Sequence, residues 1–236
     1  MRRASLECAE KNHAPSLPKL LAPLLSGPGV LRAPVVATED AVRHSILALA
    51  GVSASDVFVD LGCGEGGVLV YAARYSGASC VGFDVLPRCV SATQRAADKA
   101  GVRGLVTAFC ADFFDQERLT AHPSFAAATV VYMYLMPDVV RELEPLLRRA
   151  VDEGKVVLIY CSSGSRIRAV GARPAGNTIG EMRPVGTALM GKLRLYCSAE
   201  VLARRDEMRL ACIPSGPLPR GSLNRACVEC GARDLP

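Results

Sequence analysis

A doubly wound α/β fold with a mostly parallel sheet is what this 236-residue sequence predicts, and three observations predict it. Short, continuously apolar runs alternate with helix-like segments, as in a parallel sheet covered on both faces. Three of those runs end in or near an acidic residue, where an open α/β sheet receives its ligands. The first is followed by a glycine-rich turn that opens a helix. The chain is long enough for one such domain with a sizeable core and some chain to spare.

The elements follow in order. Residues 1–33, rich in Pro, Ser and Gly, read as a flexible leader. Residues 38–50 read as a helix, with Thr38 as N-cap, acidic residues in its first turn, Val42, Ile46 and Leu49 on one face, and Gly51 as its stop. Residues 56–60 form a buried strand, 68–75 a helix, 79–84 a strand, and 87–100 a helix ended by Gly101. Strands at 105–110 and 129–135, a helix at 138–150 and a strand at 155–161 continue the alternation. Right-handed crossovers then wind the sheet in both directions. Beyond Cys161 the pattern loosens, with a late strand at 189–197 expected as an antiparallel edge. The domain is bounded at 34–200, and 201–236 is expected to be a partly disordered C-terminal extension.

Composition removes several classes of function. Residues 17–25 are the longest apolar stretch at the N-terminus, but Pro18, Lys19 and Pro23 break it well short of the roughly 18 residues that span a bilayer. A net charge of +5 permits acidic partners without demanding nucleic acid, and with no Trp and 5% aromatics base-stacking platforms are scarce. No nucleic-acid partner is therefore expected. The ten cysteines are scattered and mostly in apolar surroundings, where thiols behave as small hydrophobes. A chain that builds its own core has little need of disulfides, so a reducing intracellular compartment is expected. Arg2 and Arg3 are followed by Glu7 and Glu10 with no apolar signal core, which favours the cytoplasm and leaves the mitochondrion as the second choice.

The chemistry gathers at the strand ends. Asp60-Leu61-Gly62-Cys63-Gly64-Glu65-Gly66 lets the backbone turn tightly and approach a ligand, while the next helix aims its first amides at it. The spacing is Gly-x-Gly-x-Gly, not the Gly-x-Gly-x-x-Gly of a dinucleotide fold. About twenty residues later, Asp84 ends the second strand, beside Val85, where a carboxylate accepts from both hydroxyls of a ribose; taken alone, this suits NAD equally well. At the third strand, Asp112 is placed to accept from the exocyclic amine of an adenine, with Phe113 covering the ring.

In order and spacing, Asp60 to Gly66, Asp84 and Asp112 together resemble the first three motifs of class I S-adenosylmethionine (SAM)-dependent methyltransferases. The resemblance implies the Rossmann-like fold of that class. It also implies that the glycines pack on the methionine part, Asp84 binds the ribose and Asp112 the adenine amine. The implied cofactor set is Thr38, Asp60, Gly62, Cys63, Gly64, Gly66, Asp84, Val85, Asp112 and Phe113. A narrower likeness rests on Pro34-Val35-Val36-Ala37-Thr38, on residues 127–137 and on residues 142–147. Those segments resemble the protein-lysine methyltransferases that act on the ATP synthase c subunit and the adenine nucleotide translocase, with their bacterial relatives. The implied partner is a protein with an accessible lysine. Members acting on mitochondrial carriers have a membrane-anchoring segment near the N-terminus, which this sequence does not show.

Methyl transfer from an already activated sulfonium asks mainly for alignment of the nucleophile. Tyr132, Tyr134 and Asp138, at the fourth strand end, are the candidates for guiding a proton away from a lysine amine, Tyr132 and Tyr134 foremost. Many class I amine methyltransferases have Asn/Asp-Pro-Pro-aromatic there; Tyr132-Met133-Tyr134-Leu135-Met136-Pro137 departs from it, against nucleobase or glutamine methylation.

Other signals are weaker. Cys227 and Cys230 form a lone Cys-x-x-Cys without the four ligands of a structural zinc site, and His13, His44 and His122 have no metal spacing, so no metal is expected. The basic stretch 162–168 reads as a solvated loop. Methylation of a small molecule, an NAD-dependent oxidoreductase and a non-catalytic scaffold are the alternatives to a lysine methyltransferase.

Overall fold

The computed structural model describes residues 36–161, 179 and 181–211. The expected leader, the 162–168 stretch and the Cys227/Cys230 pair lie outside them. In chain order the elements are α1 (Asp40–Ala50), β1 (Val57–Leu61), α2 (Gly67–Ser76), β2 (Ser79–Asp84), α3 (Pro87–Lys99), β3 (Val106–Cys110), α4 (Gln116–Thr120), α5 (Pro123–Ala126) and β4 (Val130–Tyr134). Then come α6 (Pro137–Glu142), α7 (Glu144–Asp152), β5 (Val156–Tyr160), β6 (Gly186–Ala188), β7 (Leu193–Tyr196) and α8 (Ala199–Ala211).

Among the described residues these strands form a seven-stranded sheet in the order β3-β2-β1-β4-β5-β7-β6. The first five pair in parallel. β7 joins β5 antiparallel, and β6 completes a hairpin with β7. The chain winds outward from β1 to β3, then returns to the other side of β1 as β4, so the switch point lies between β1 and β4. That is where a crevice opens at the carboxyl ends of the strands. Parallel registry sets Asp60 opposite both Gly82 and Tyr132, and Tyr134 opposite Tyr160.

Each face of the sheet buries its own core. One, with Phe58, Tyr132 and Leu158, lies under α1 and α2; the other, with Leu61, Phe83, Met133 and Ile159, lies under α6 and α7. Alternation along β4 sends Val131 and Met133 to the second face, and Tyr132 to the first with Tyr134 packed against it. The two tyrosines therefore share the α1 side.

Four expectations change. Thr38 does not cap α1: Glu39 holds the N-cap position with no side-chain bond, its carbonyl accepting from Val42 and Arg43. Thr38 turns to the crevice instead. The single helix expected at 138–150 is two, because Pro145 has no N–H to donate to the Arg141 carbonyl; the first helix closes on the Leu143 amide, which donates to the Val139 carbonyl at 3.1 Å. The late strand is shorter and not the edge. Leu189, Met190 and Gly191 all have positive φ (53°, 56° and 78°), which makes a turn of the first three residues expected in it. Strand β7 is then covered on its outer side by β6.

The fourth change is the C-terminal boundary. Helix α8 crosses residue 200 and is docked: Val201 is buried in the core, and the buried Arg205 pairs with the buried Asp56. Arg205 Nη2 donates to Asp56 Oδ1 at 2.6 Å, and Nη1 donates to the Ala50 carbonyl at 3.0 Å. Asp56 also accepts from the Thr129 hydroxyl at 2.6 Å and the Ser53 amide at 2.9 Å. One ion pair thus ties α8 to the end of α1, through Arg205, and to the starts of β1 and β4, through Asp56.

Candidate active site

The glycine turn joins β1 to α2 by folding back onto β2. Gly62 and Gly64 adopt positive φ of 83° and 53°. The Gly62 amide donates to the Phe83 carbonyl at 2.8 Å, and the Gly64 amide to Asp84 Oδ2 at 2.9 Å. Asp84 Oδ1 accepts from the Leu86 amide at 2.9 Å. The carboxylate therefore holds both the glycine turn and the turn after β2, and each oxygen retains a further acceptor site. The close approach has a steric condition at Gly82. A Cβ there would lie 2.5 Å from Cys63 Sγ, so the turn rests on β2 only because that position lacks a side chain.

A cavity of about 380 Å³ opens at the switch point. It is lined by Thr38, Asp60, Gly62, Cys63, Gly64, Asp84, Val85, Asp112 and Phe113 from the expected cofactor set, and by Tyr132 and Tyr134. Gly66 does not line it. With φ +77°, it serves packing: a Cβ there would lie 2.5 Å from Thr93 Cγ2 on α3, and the Thr93 hydroxyl donates to the Gly64 carbonyl at 3.1 Å. Asp138 is not at the cavity either. It is exposed on α6 and paired with Arg141. Arg43, Glu65, Phe114 and Leu135 line the cavity without having been anticipated. Glu65, Phe114 and Leu135 lie within or next to motif residues and so left a trace in the sequence, whereas Arg43 did not.

The electrostatics of the cavity floor are unusual. Asp60 is 3% exposed, and burial first, then the Asp84 charge, pushes its carboxyl up to about 8. Tyr132 is 1% exposed, and its hydroxyl has no hydrogen-bond partner. Burial, then the Asp60 charge, holds that phenol well above its ordinary value, with the Thr38 hydroxyl opposing. A buried hydroxyl without a partner costs energy unless a ligand supplies one. Beside Tyr132, Tyr134 is half-buried and packs its ring edge-on to Tyr160 at 4.7 Å between centroids. Asp112 Oδ1 accepts from the Phe114 amide at 2.9 Å, while Phe113 and Phe114 sit 5.1 Å apart at that end.

Known proteins resemble this chain. Residues 60–162 match the family model described as the ANTKMT methyltransferase domain. A solved structure of an RNA methyltransferase from Salinibacter ruber, in complex with S-adenosyl-L-homocysteine, is 30% identical. The likeness covers 68% of this chain and 91% of that one, with a TM-score of 0.54. The chain belongs to the class I SAM-dependent methyltransferases. A protein-lysine N-methyltransferase of Saccharolobus islandicus (strain REY15A) is 29% identical over 128 residues, 54% of this chain and 75% of that protein. For this methyltransferase the oxidoreductase alternative falls away, and the site is that of an enzyme. No helix among the described residues is long and apolar enough to cross a membrane.

Proposed function

We propose that this methyltransferase transfers a methyl group to the side-chain amine of a lysine in a protein substrate. The observation that carries the reading is the cavity, which is lined by Asp60, Asp84 and Asp112 together with Tyr132, Tyr134 and apolar side chains. The lysine methyltransferase of Saccharolobus islandicus and the description of the matching family model support the same acceptor.

The residues present fit SAM, because the buried Tyr132 hydroxyl lines the cavity without a partner, beside the buried Asp60 carboxyl that a cationic ligand would favour in its charged form. When bound, the cofactor supplies an electrophilic methyl carbon on a sulfonium. Asp84 would accept from the two ribose hydroxyls, Val85 and Phe113 would flank the base, and Asp112 would accept from its exocyclic amine. Gly62, Cys63, Gly64, Thr38 and Asp60 would hold the methionine part. Val36, Ala37, Leu135 and Val139 line the same cavity and would supply an apolar sleeve for a lysine stem. A neutral amine is required, and from an ordinary lysine pKa of about 10.4 this costs roughly 4.6 kcal/mol at pH 7. Desolvation in the sleeve lowers that cost. Tyr132, with a raised pKa, is a hydrogen-bonding wall and not a base, which leaves Tyr134 as the residue that touches the amine.

Asp60 makes the binding pH-dependent. In the ligand-free protein its carboxyl, at about 8, is mostly protonated at pH 7. A cationic ligand favours the carboxylate, so SAM binding is expected to release a proton and to tighten as pH rises from about 6 towards 8. Calorimetry in two buffers of different ionisation enthalpy measures that proton directly. The ligand-free fold carries the opposite sign. Native Asp60 holds a proton that the unfolded chain has lost, so its contribution to stability falls as pH rises from 3.8 to about 8.

Methyl-labelled SAM added to a cell lysate tests the acceptor. The expected product is protease-sensitive label recovered as methyl-lysine after hydrolysis. Ribonuclease-sensitive label would move the acceptor to RNA, the substrate class of the Salinibacter ruber relative. Label confined to small molecules would overturn both readings. We also place the enzyme in a reducing intracellular compartment, the cytoplasm foremost, since the six cysteines among the described residues are all free.

A further inference from the structure

We infer that Arg43 is the anion anchor of the active site: its guanidinium receives the α-carboxylate of the cofactor's methionine arm. The inference rests on SAM being the cofactor and is independent of the acceptor.

Arg43 stands on the first turn of α1 and reaches the cavity wall with its side chain 23% exposed. Nη1 is tethered, donating to Asp40 Oδ1 at 2.8 Å. Asp40 is 81% exposed, so this pair is solvent-screened and orients the head more than it neutralises it. The opposite edge differs. Nε is buried and has no hydrogen-bond partner. The Nε–Nη2 edge is one of the two sides on which a guanidinium receives a carboxylate with two parallel hydrogen bonds.

The neighbourhood is shaped for that edge. Nη2 lies 2.7 Å, and Cζ 3.2 Å, from where a Cβ on Gly67 would sit. The guanidinium therefore occupies the space that any larger residue 67 would fill, at the first residue of the ten-residue helix α2. The first-turn amides of that helix favour the same negative charge.

The charge inventory selects the ligand group. Among the described residues lining the cavity, Arg43 is the one cation, against the carboxyls of Asp60, Glu65, Asp84 and Asp112. A ligand carboxylate has a single place to be matched, and four acidic neighbours disfavour a doubly charged phosphate. Asp60 for the ammonium and Arg43 for the carboxylate are together complementary to an amino-acid head.

The test compares S-adenosylhomocysteine with its decarboxylated analogue, which lacks only the carboxylate, on the full chain by calorimetry. Thermal melts verify that each variant is folded. The wild-type protein is expected to prefer the intact ligand. Arg43→Met is expected to weaken S-adenosylhomocysteine by about 10- to 100-fold, the range for a charged hydrogen-bonded pair, and to leave the analogue unchanged. Gly67→Ala keeps the arginine but displaces its head, and is expected to reduce the preference in the same direction. Equal weakening of both ligands by Arg43→Met, or no weakening of either, overturns the assignment. A folded wild-type protein that binds neither ligand removes the cofactor reading and this inference with it.

Discussion

Asp84→Ala is expected to lower the affinity for SAM by more than about 100-fold, the largest effect on ligand binding among single changes at the cofactor end. Two losses combine. The direct one is the charge-assisted acceptance of two ribose hydroxyls, each hydrogen bond to a charged group contributing about 1.5–3 kcal/mol. The indirect one is structural: the Gly64 and Leu86 amides lose the acceptor that sets the glycine turn against the turn after β2. Asp84→Asn keeps a carbonyl acceptor but no charge, and a loss of roughly tenfold is expected from it. Because Asp84 is the second cause of the raised Asp60 carboxyl, the asparagine variant should also release less of a proton on binding SAM at pH 7. Calorimetry on folded protein reads both quantities, and an unchanged affinity in the alanine variant would take the ribose away from this strand end.

The second large effect concerns stability. Arg205→Met should destabilise the protein by about 3–5 kcal/mol, the cost of stranding a buried charge. At roughly 2–4 °C per kcal/mol for a domain of this size, the melting temperature falls by roughly 6–20 °C. Burial alone raises the Asp56 carboxyl, but the Arg205 guanidinium and the bonds from Thr129 and Ser53 outweigh it and hold the carboxyl low. A depressed carboxyl contributes stability above the unfolded value of 3.8 and loses it as pH falls through the folded value. Without Arg205 the sign reverses, since a stranded Asp56 is better protonated. The deficit between variant and wild type is therefore greatest near neutrality and shrinks towards acid. Replacing Asp56 by leucine in the same chain should recover much of the loss, because an apolar pair leaves no charge unmatched. Urea unfolding at pH 7 and near pH 4 measures each of these, and an Arg205→Met variant as stable as wild type at both values would refute the role of the pair.

Local chemistry was legible before any coordinates. The strands that end at Asp84 and Tyr134, the turn from Asp60 to Gly66, and the acid at Asp112 could all be placed, because each is a statement about neighbours along the chain. Apolar runs of five or six residues and glycines at alternate positions carry their own geometry. Less was legible where a proline changes one hydrogen bond inside an otherwise good helical pattern, as at Pro145, or where Leu189 and Met190 accept positive φ that their side chains disfavour. At Pro145 the break is a local effect of the missing N–H, whereas at Leu189 and Met190 the chain adopts a turn against local preference.

What the sequence by itself determined is the sheet, its crevice and the residue types at the strand ends, together with the class of cofactor those types imply. Tertiary structure alone decided which of these residues face the cavity, and with what partners. It turned Thr38 from a helix cap into a cavity wall, moved Gly66 from ligand contact to packing on Thr93, and brought Arg43 over Gly67. It also joined Asp56 to Arg205 across 149 residues of chain. The physical reason is common to all four: hydrogen bonds and contacts depend on distance in space, and spacing along the chain encodes that distance only within a turn, a helix face or a single strand.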